Sequence, residues 1–179
     1  MNFDQAFDRL LANEGVLSLD ENDRGNWTSG IIGVGELKGS KYGISAMSYP
    51  SLDIANLTID DAKAIYRRDF WDRGHMDEYD HTLAFQVFDF AVNSGVDTAI
   101  HKLQRAAGVA DDGLIGPITI EAIQRRRPAV MILLYLAERL DYMRKLSSWR
   151  TQGSGWTARI ADDMRYAVQD LENGGNHGQ

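Results

Sequence analysis

Seven of the chain's 17 glycines fall between Gly15 and Gly43, and this clustering constrains the fold more than any other feature. Glycine weakens helix interiors and is favoured where the backbone turns sharply. This stretch is therefore expected to be turned rather than helical. Short β-capable pieces sit among the glycines at Trp27-Thr28, Ile31-Ile32 and Val34. Together they predict a small hairpin sheet with long loops.

On both sides the pattern is helical. Phe3, Phe7, Leu10 and Leu11 line one face of a first helix, which Asn13-Glu14-Gly15 ends. Thr58-Ile59-Asp60-Asp61 reads as a capping box with Asp in place of Glu, opening a helix through Tyr66 to about Trp71. Leu83 to Val92 is apolar almost all round, so this helix is expected to be central and buried, with Gly95 ending it. Further helices are predicted from Asp97 to about Ala107, Pro117 to about Arg126, Pro128 to about Leu146, and Trp156 to about Leu171. The predicted architecture is α+β, mostly helical with one small N-terminal sheet. Residues 176–179 are expected to be a frayed tail.

The 179 residues suit one domain or one globule with two lobes, and contain no cysteine. That excludes disulfides and Cys nucleophiles. The longest apolar run is Ala129–Ala137, nine residues, well short of the roughly 20 that a membrane span needs. The first residues show no basic region followed by an apolar one, so no secretory signal is expected. Residues 1–100 carry 8 Lys/Arg against 17 Asp/Glu, and residues 101–179 carry 11 against 9. The acidic first part repels phosphate, and Arg125-Arg126-Arg127 reads as a helix end, so no nucleic-acid partner is expected. The four His residues lack paired spacing, so no metal is expected either. Gly33-Val34-Gly35 with Gly39 misses the dinucleotide-loop spacing, and no G-x-S-x-G elbow occurs.

Glu14 stands out because it breaks a local rule. A carboxylate in the last turn of a helix meets the negative end of the dipole, at a cost of roughly 0.3–1 kcal/mol. Rule-breaking positions are enriched at functional sites, and a carboxyl that holds its proton suits a general acid. A tolerated surface Glu beside a glycine stop gives the same pattern. The turned segment adds Asp20, Glu21, Asp23 and Glu36. Two carboxyls flanking a groove are the minimal apparatus for cleaving a glycosidic bond. Thr28 offers a hydroxyl that could hold a water beside Asp23. The alternative for Asp20, Glu21 and Asp23 is a polar turn.

Glu14-Gly15, then Asp23-Arg24-Gly25-Asn26-Trp27-Thr28, then Tyr42-Gly43-Ile44-Ser45 resembles the N-terminal signature of glycoside hydrolase family 108. Tyr66 to Trp71 is similar to the family's Y-x-x-x-Y-W. Leu103 to Val109 and Asp112 to Thr119 resemble its C-terminal peptidoglycan-binding region. The resemblance implies a lysozyme-like peptidoglycan muramidase, of the kind found in phage endolysins and secretion-associated bacterial relatives. Residue by residue, it makes Glu14 the catalytic acid and Asp23 and Thr28 its catalytic partners. Tyr42 would line the sugar cleft or belong to the core, and Asn93 would reach the cleft or cap a helix end. Water is the second reactant, so no cofactor is implied.

The sequence departs from the family pattern in three places. Val16 replaces the second Gly of E-G-G, Asn26 replaces the second Gly of D-x-G-G, and Ser29 to Lys41 resembles an insertion. The expected division is a catalytic lobe over 1–95 and a helical, wall-binding lobe over 96–175. The expected partner is the peptidoglycan glycan strand, acted on by a monomer made in the bacterial cytoplasm. It would reach the periplasm or cell wall through a separate holin or secretion pore. A lytic transglycosylase and a non-catalytic wall-binding module are the rival readings.

Overall fold

A computed structural model describes residues 1–11 and 16–175, so Glu14 lies outside the described residues. The order is α1 (Phe3–Leu11), β1 (Ser40–Lys41), β2 (Ile44–Ser45), α2 (Ile59–Tyr66), α3 (His81–Ser94), α4 (Val96–Ala107), α5 (Pro117–Gln124), α6 (Pro128–Met143) and α7 (Trp149–Gly175). Two compact units result, one of residues 7–68 and one of residues 1–6 with 69–179. The mostly helical α+β class with a small sheet is the one observed.

The larger unit is built around α3. Every residue from Thr82 to Ala91 is buried, as its all-round apolar pattern requires. α4, α6 and α7 pack on α3 or on one another. Trp71 meets Phe88 edge to face at 5.4 Å, and Phe3 meets both rings in the same manner. α3 stops at Gly95, whose φ of 89° an L side chain rarely adopts.

Inside this core lies an ion cluster. Arg139 of α6 is fully buried and stands between Asp89 of α3 and Asp163 of α7, 2.7 Å from each. The approach to Asp89 lacks hydrogen-bond alignment, whereas the Asp163 contact is a true hydrogen bond. Arg159 donates to both oxygens of Asp89, and the Arg139 guanidinium lies 4.9 Å from the Phe90 ring centre. Burial first, then the neighbouring charge of Asp89, pushes the Asp163 carboxyl up to about 7. Burial opposes ionisation of Asp89 too, but the Arg139 and Arg159 guanidiniums outweigh it and hold Asp89 below the usual range.

The smaller unit contains the glycine-rich segment. Thr58 opens α2 through the expected reciprocal capping box, with its side chain accepting from Asp61 N–H and the Asp61 carboxylate accepting from Thr58 N–H. The chain then continues through a wider π-helical turn over Arg67–Asp72. Phe7 packs edge-on against Tyr66 at 5.5 Å.

Two expectations need correction. Ile31, Ile32 and Val34 form no strand; they sit exposed in a tight loop, and pairing falls instead at Ser40–Ser45 and Lys41–Ile44. The last helix begins at Trp149, seven residues before the predicted start at Trp156. Within the added turns, Gly153 lies under the Trp149 indole, where a Cβ would come within 2.9 Å of the ring. Close packing, not a turn, explains that glycine.

Candidate active site

The turned segment is held by main-chain bonds. Ser18 and Ser40 exchange hydrogen bonds of 2.9 and 3.0 Å, and Trp27 pairs with Leu37 in a second isolated bridge. Between these two closures runs the acidic turn. Asp20 accepts at Oδ1 from the Asn22 N–H, its carbonyl accepts from the Asp23 N–H, and Trp27 Nε1 donates to the Glu21 carbonyl. Such Asx geometry is what Asp and Asn favour locally.

Asp23 caps the short 3₁₀ turn Arg24–Asn26, its Oδ1 accepting from Gly25 N–H at 2.8 Å. The residue is exposed, and among the described residues Oδ2 has no hydrogen-bond partner. One oxygen is thus anchored while the other faces outward, which suits a carboxylate that must act on a water or a cation-like centre. Asp23 also fills the polar-turn role that its residue type predicts.

Thr28 lies on the first arm of the hairpin. Its N–H donates to the Glu36 carbonyl, and its Oγ1 accepts from the Glu36 N–H at 2.9 Å. The hydroxyl keeps one donor and one lone pair for a water. Gly35 faces it so closely that a Cβ there would sit 2.7 Å from Oγ1. The loop beyond is closed by Ser29, which accepts from Ile31 N–H and donates to the Val34 carbonyl.

Tyr42 occupies the β1–β2 turn with φ 52°, followed by Gly43 at φ 73°. Two consecutive positive φ values are the mark of a type I′ hairpin turn, and a non-glycine residue there is uncommon. The Tyr42 carbonyl accepts from the Tyr66 hydroxyl at 3.1 Å, and Lys41 Nζ stands 5.4 Å from the half-buried ring. The Y-G pair therefore has a backbone reason of its own. Asp23, Thr28 and Tyr42 share the smaller unit. Asn93 belongs to the other, exposed in the last turn of α3 and accepting from the Ser94 hydroxyl.

Sequence reasoning gave no role to Asn26, the fully buried polar residue at the centre of these bonds. Its signal was a polar side chain where the family pattern has glycine. The Asp89–Arg139–Asp163 cluster was also missed; its signal was a charge within each of two apolar helical runs. Of the arginine run, Arg125 pairs with Glu121 and Arg126 donates to the Ala107 carbonyl.

The mostly helical fold with its small turned β region is that of a lysozyme-like glycoside hydrolase of the peptidoglycan-hydrolysing kind, as the matches to known proteins show. Residues 7–95 match the family model Glycosyl hydrolase 108, and this segment belongs to that family. The structure of Brucella abortus SagA is similar to it, with a TM-score of 0.78 and 25% sequence identity over 93% of this chain and 94% of that one. No curated protein matches.

Proposed function

We propose that the protein is an N-acetylmuramidase that hydrolyses the β-1,4 bond between N-acetylmuramic acid and N-acetylglucosamine. The observation that carries this reading is Asp23, anchored through one oxygen with the other exposed, nine positions after Glu14 within the family segment. Glu14 protonates the leaving oxygen. Asp23 stabilises the cation-like centre or directs water to it, and the Thr28 hydroxyl holds that water. Tyr42 and Asn93 contact the sugar chain. Residues 1–95 carry cleavage, and residues 96–175 hold the wall.

The proposed setting is a phage or prophage endolysin working as a monomer. Its substrate lies outside the cytoplasmic membrane, so it would be made in the cytoplasm and released by a separate holin or secretion pore. No helix among the described residues is long and apolar enough to cross a membrane.

Mass spectrometry of muropeptides from digested sacculi tests the reaction. Reducing muramic ends support the hydrolase, anhydro ends mean a lytic transglycosylase, and intact glycan leaves only a wall-binding module. Glu14→Gln is nearly isosteric and cannot donate the proton. Its lysis rate should fall by about 10²–10⁴ while the fold persists. Asp23→Asn should remove most activity. Near-full activity in either folded variant refutes that residue's assignment.

A further inference from the structure

Asn26 joins the acidic turn to the hairpin. Its side-chain nitrogen donates to the Asp20 carbonyl at 3.0 Å and lies 3.5 Å from Ser18 Oγ. Its main-chain N–H donates to the Asp23 carbonyl at 3.1 Å. Its own carbonyl accepts from both Lys38 N–H and Gly39 N–H, at 3.1 and 3.0 Å. One residue thus fixes both ends of the Asp20–Asp23 turn against the second hairpin arm.

The other half of the amide is a puzzle. Oδ1 is buried and has no hydrogen-bond partner among the described residues. A buried acceptor without a donor is destabilising. Glycine or an apolar side chain at this place would avoid that cost. The retained gain is the Nδ2 bond to Asp20, and what that bond controls is the placement of the turn that ends in Asp23.

We propose that Asn26 is a positioning residue that sets the Asp23 carboxylate by clamping the Asp20–Asp23 turn to the second hairpin arm. This rests on the assignment of Asp23 made above. Small displacements of a reacting group reduce the chemical step far more than binding. Losing the clamp should therefore lower kcat and leave KM in place.

The test uses the full chain, soluble peptide-free glycan strands as substrate, and the release of reducing ends as readout. Asn26→Gly should lower kcat about tenfold or more, with KM within about twofold. Asn26→Asp keeps the shape and loses the donor; it should fall in the same direction, and it carries the test if circular dichroism finds Asn26→Gly unfolded. In an Asp23→Asn background, Asn26→Gly should change the residual rate less than twofold. Wild-type kcat in both folded Asn26 variants, or an undiminished loss in the Asp23→Asn background, overturns the proposal. Full activity of Asp23→Asn alone overturns the assignment of Asp23 beneath it, a result read without any change at Asn26.

Discussion

The turned segment over residues 16–48 and the helices α3, α4, α6 and α7 achieve order by different means. In the segment, Asn26, Gly39, Ile44 and Ala46 are the buried residues, and its shape is held by main-chain bonds across Ser18–Ser40 and Trp27–Leu37. In the helices, ten consecutive residues of α3 are buried, and a charged cluster lies among the aromatic rings. A region held by its backbone can leave carboxylates and hydroxyls facing water at fixed places, which a catalytic surface requires. A region held by side-chain burial cannot expose its groups without losing what orders it. The two should respond to different substitutions.

The largest difference is expected at Arg139. Replacing it with Met keeps the volume and removes the positive charge between Asp89 and Asp163. Breaking a buried ion cluster from one side typically costs about 3–5 kcal/mol, because the remaining charges stay buried without compensation. Urea denaturation should register that loss, while cleavage by the remaining folded protein keeps its wild-type pH–rate profile. A loss under about 1 kcal/mol would mean that the cluster is not a stability element.

The same cluster gives the helices a pH signature. The Asp163 carboxyl is raised to about 7 in the folded protein, from an ordinary 3.8. Between those values the folded protein keeps a proton that the unfolded chain has released. The Asp163 contribution is therefore full below about pH 4 and is lost as pH rises toward 7, with a span on the order of 2–4 kcal/mol. Asp89 works in the opposite sense: its carboxyl is held below 3.8, so its contribution fades as pH falls through that lower range. Subtracting the denaturation curves of Asp163→Asn from wild type at pH 4.5 and pH 7.5 isolates the first term. An equal difference at both pH values would place Asp163 outside this account.

The two regions also differed in how legible they were. The helices could be read because apolar spacing and caps repeat the physics of burial. Thr58–Asp61 closed as predicted, and the all-apolar run of α3 became the core. The start of α7 could not be read, since Gly153 serves a ring-on-backbone contact that leaves no periodic trace. In the turned segment, glycine density announced sharp turns but not which arms pair. Ile31 and Ile32 have strand propensity, yet the pairing bonds fall where Asn26 and Ser18 meet Lys38 to Ser40. Asp23 and Thr28 could be singled out by residue type and order. Their main-chain partners, Gly25 and Glu36, could not, because those bonds depend on the path of the loop.

Two glycine-to-alanine substitutions sharpen the comparison at its smallest scale. Gly39 has φ of 83°, and a Cβ there would lie 2.3 Å from the Ser18 carbonyl oxygen. That atom is backbone in the Ser18–Ser40 bridge, so it cannot swing aside, and Gly39 N–H is also a donor to the Asn26 carbonyl. Gly39→Ala should cost about 1–3 kcal/mol and reduce cleavage as well, since the arm that holds the acidic turn must shift. Gly155 is exposed within α7, with no neighbour among the described residues within 4 Å of an added Cβ. Alanine there restricts the unfolded chain and favours the helix, so Gly155→Ala should stabilise by about 0.5–1 kcal/mol and leave cleavage unchanged. Thermal melts and glycan-cleavage rates on both variants decide the matter. Opposite signs in stability, with activity lost only at Gly39, follow if one region is ordered by backbone closure and the other by helix packing; a harmless Gly39→Ala breaks that distinction.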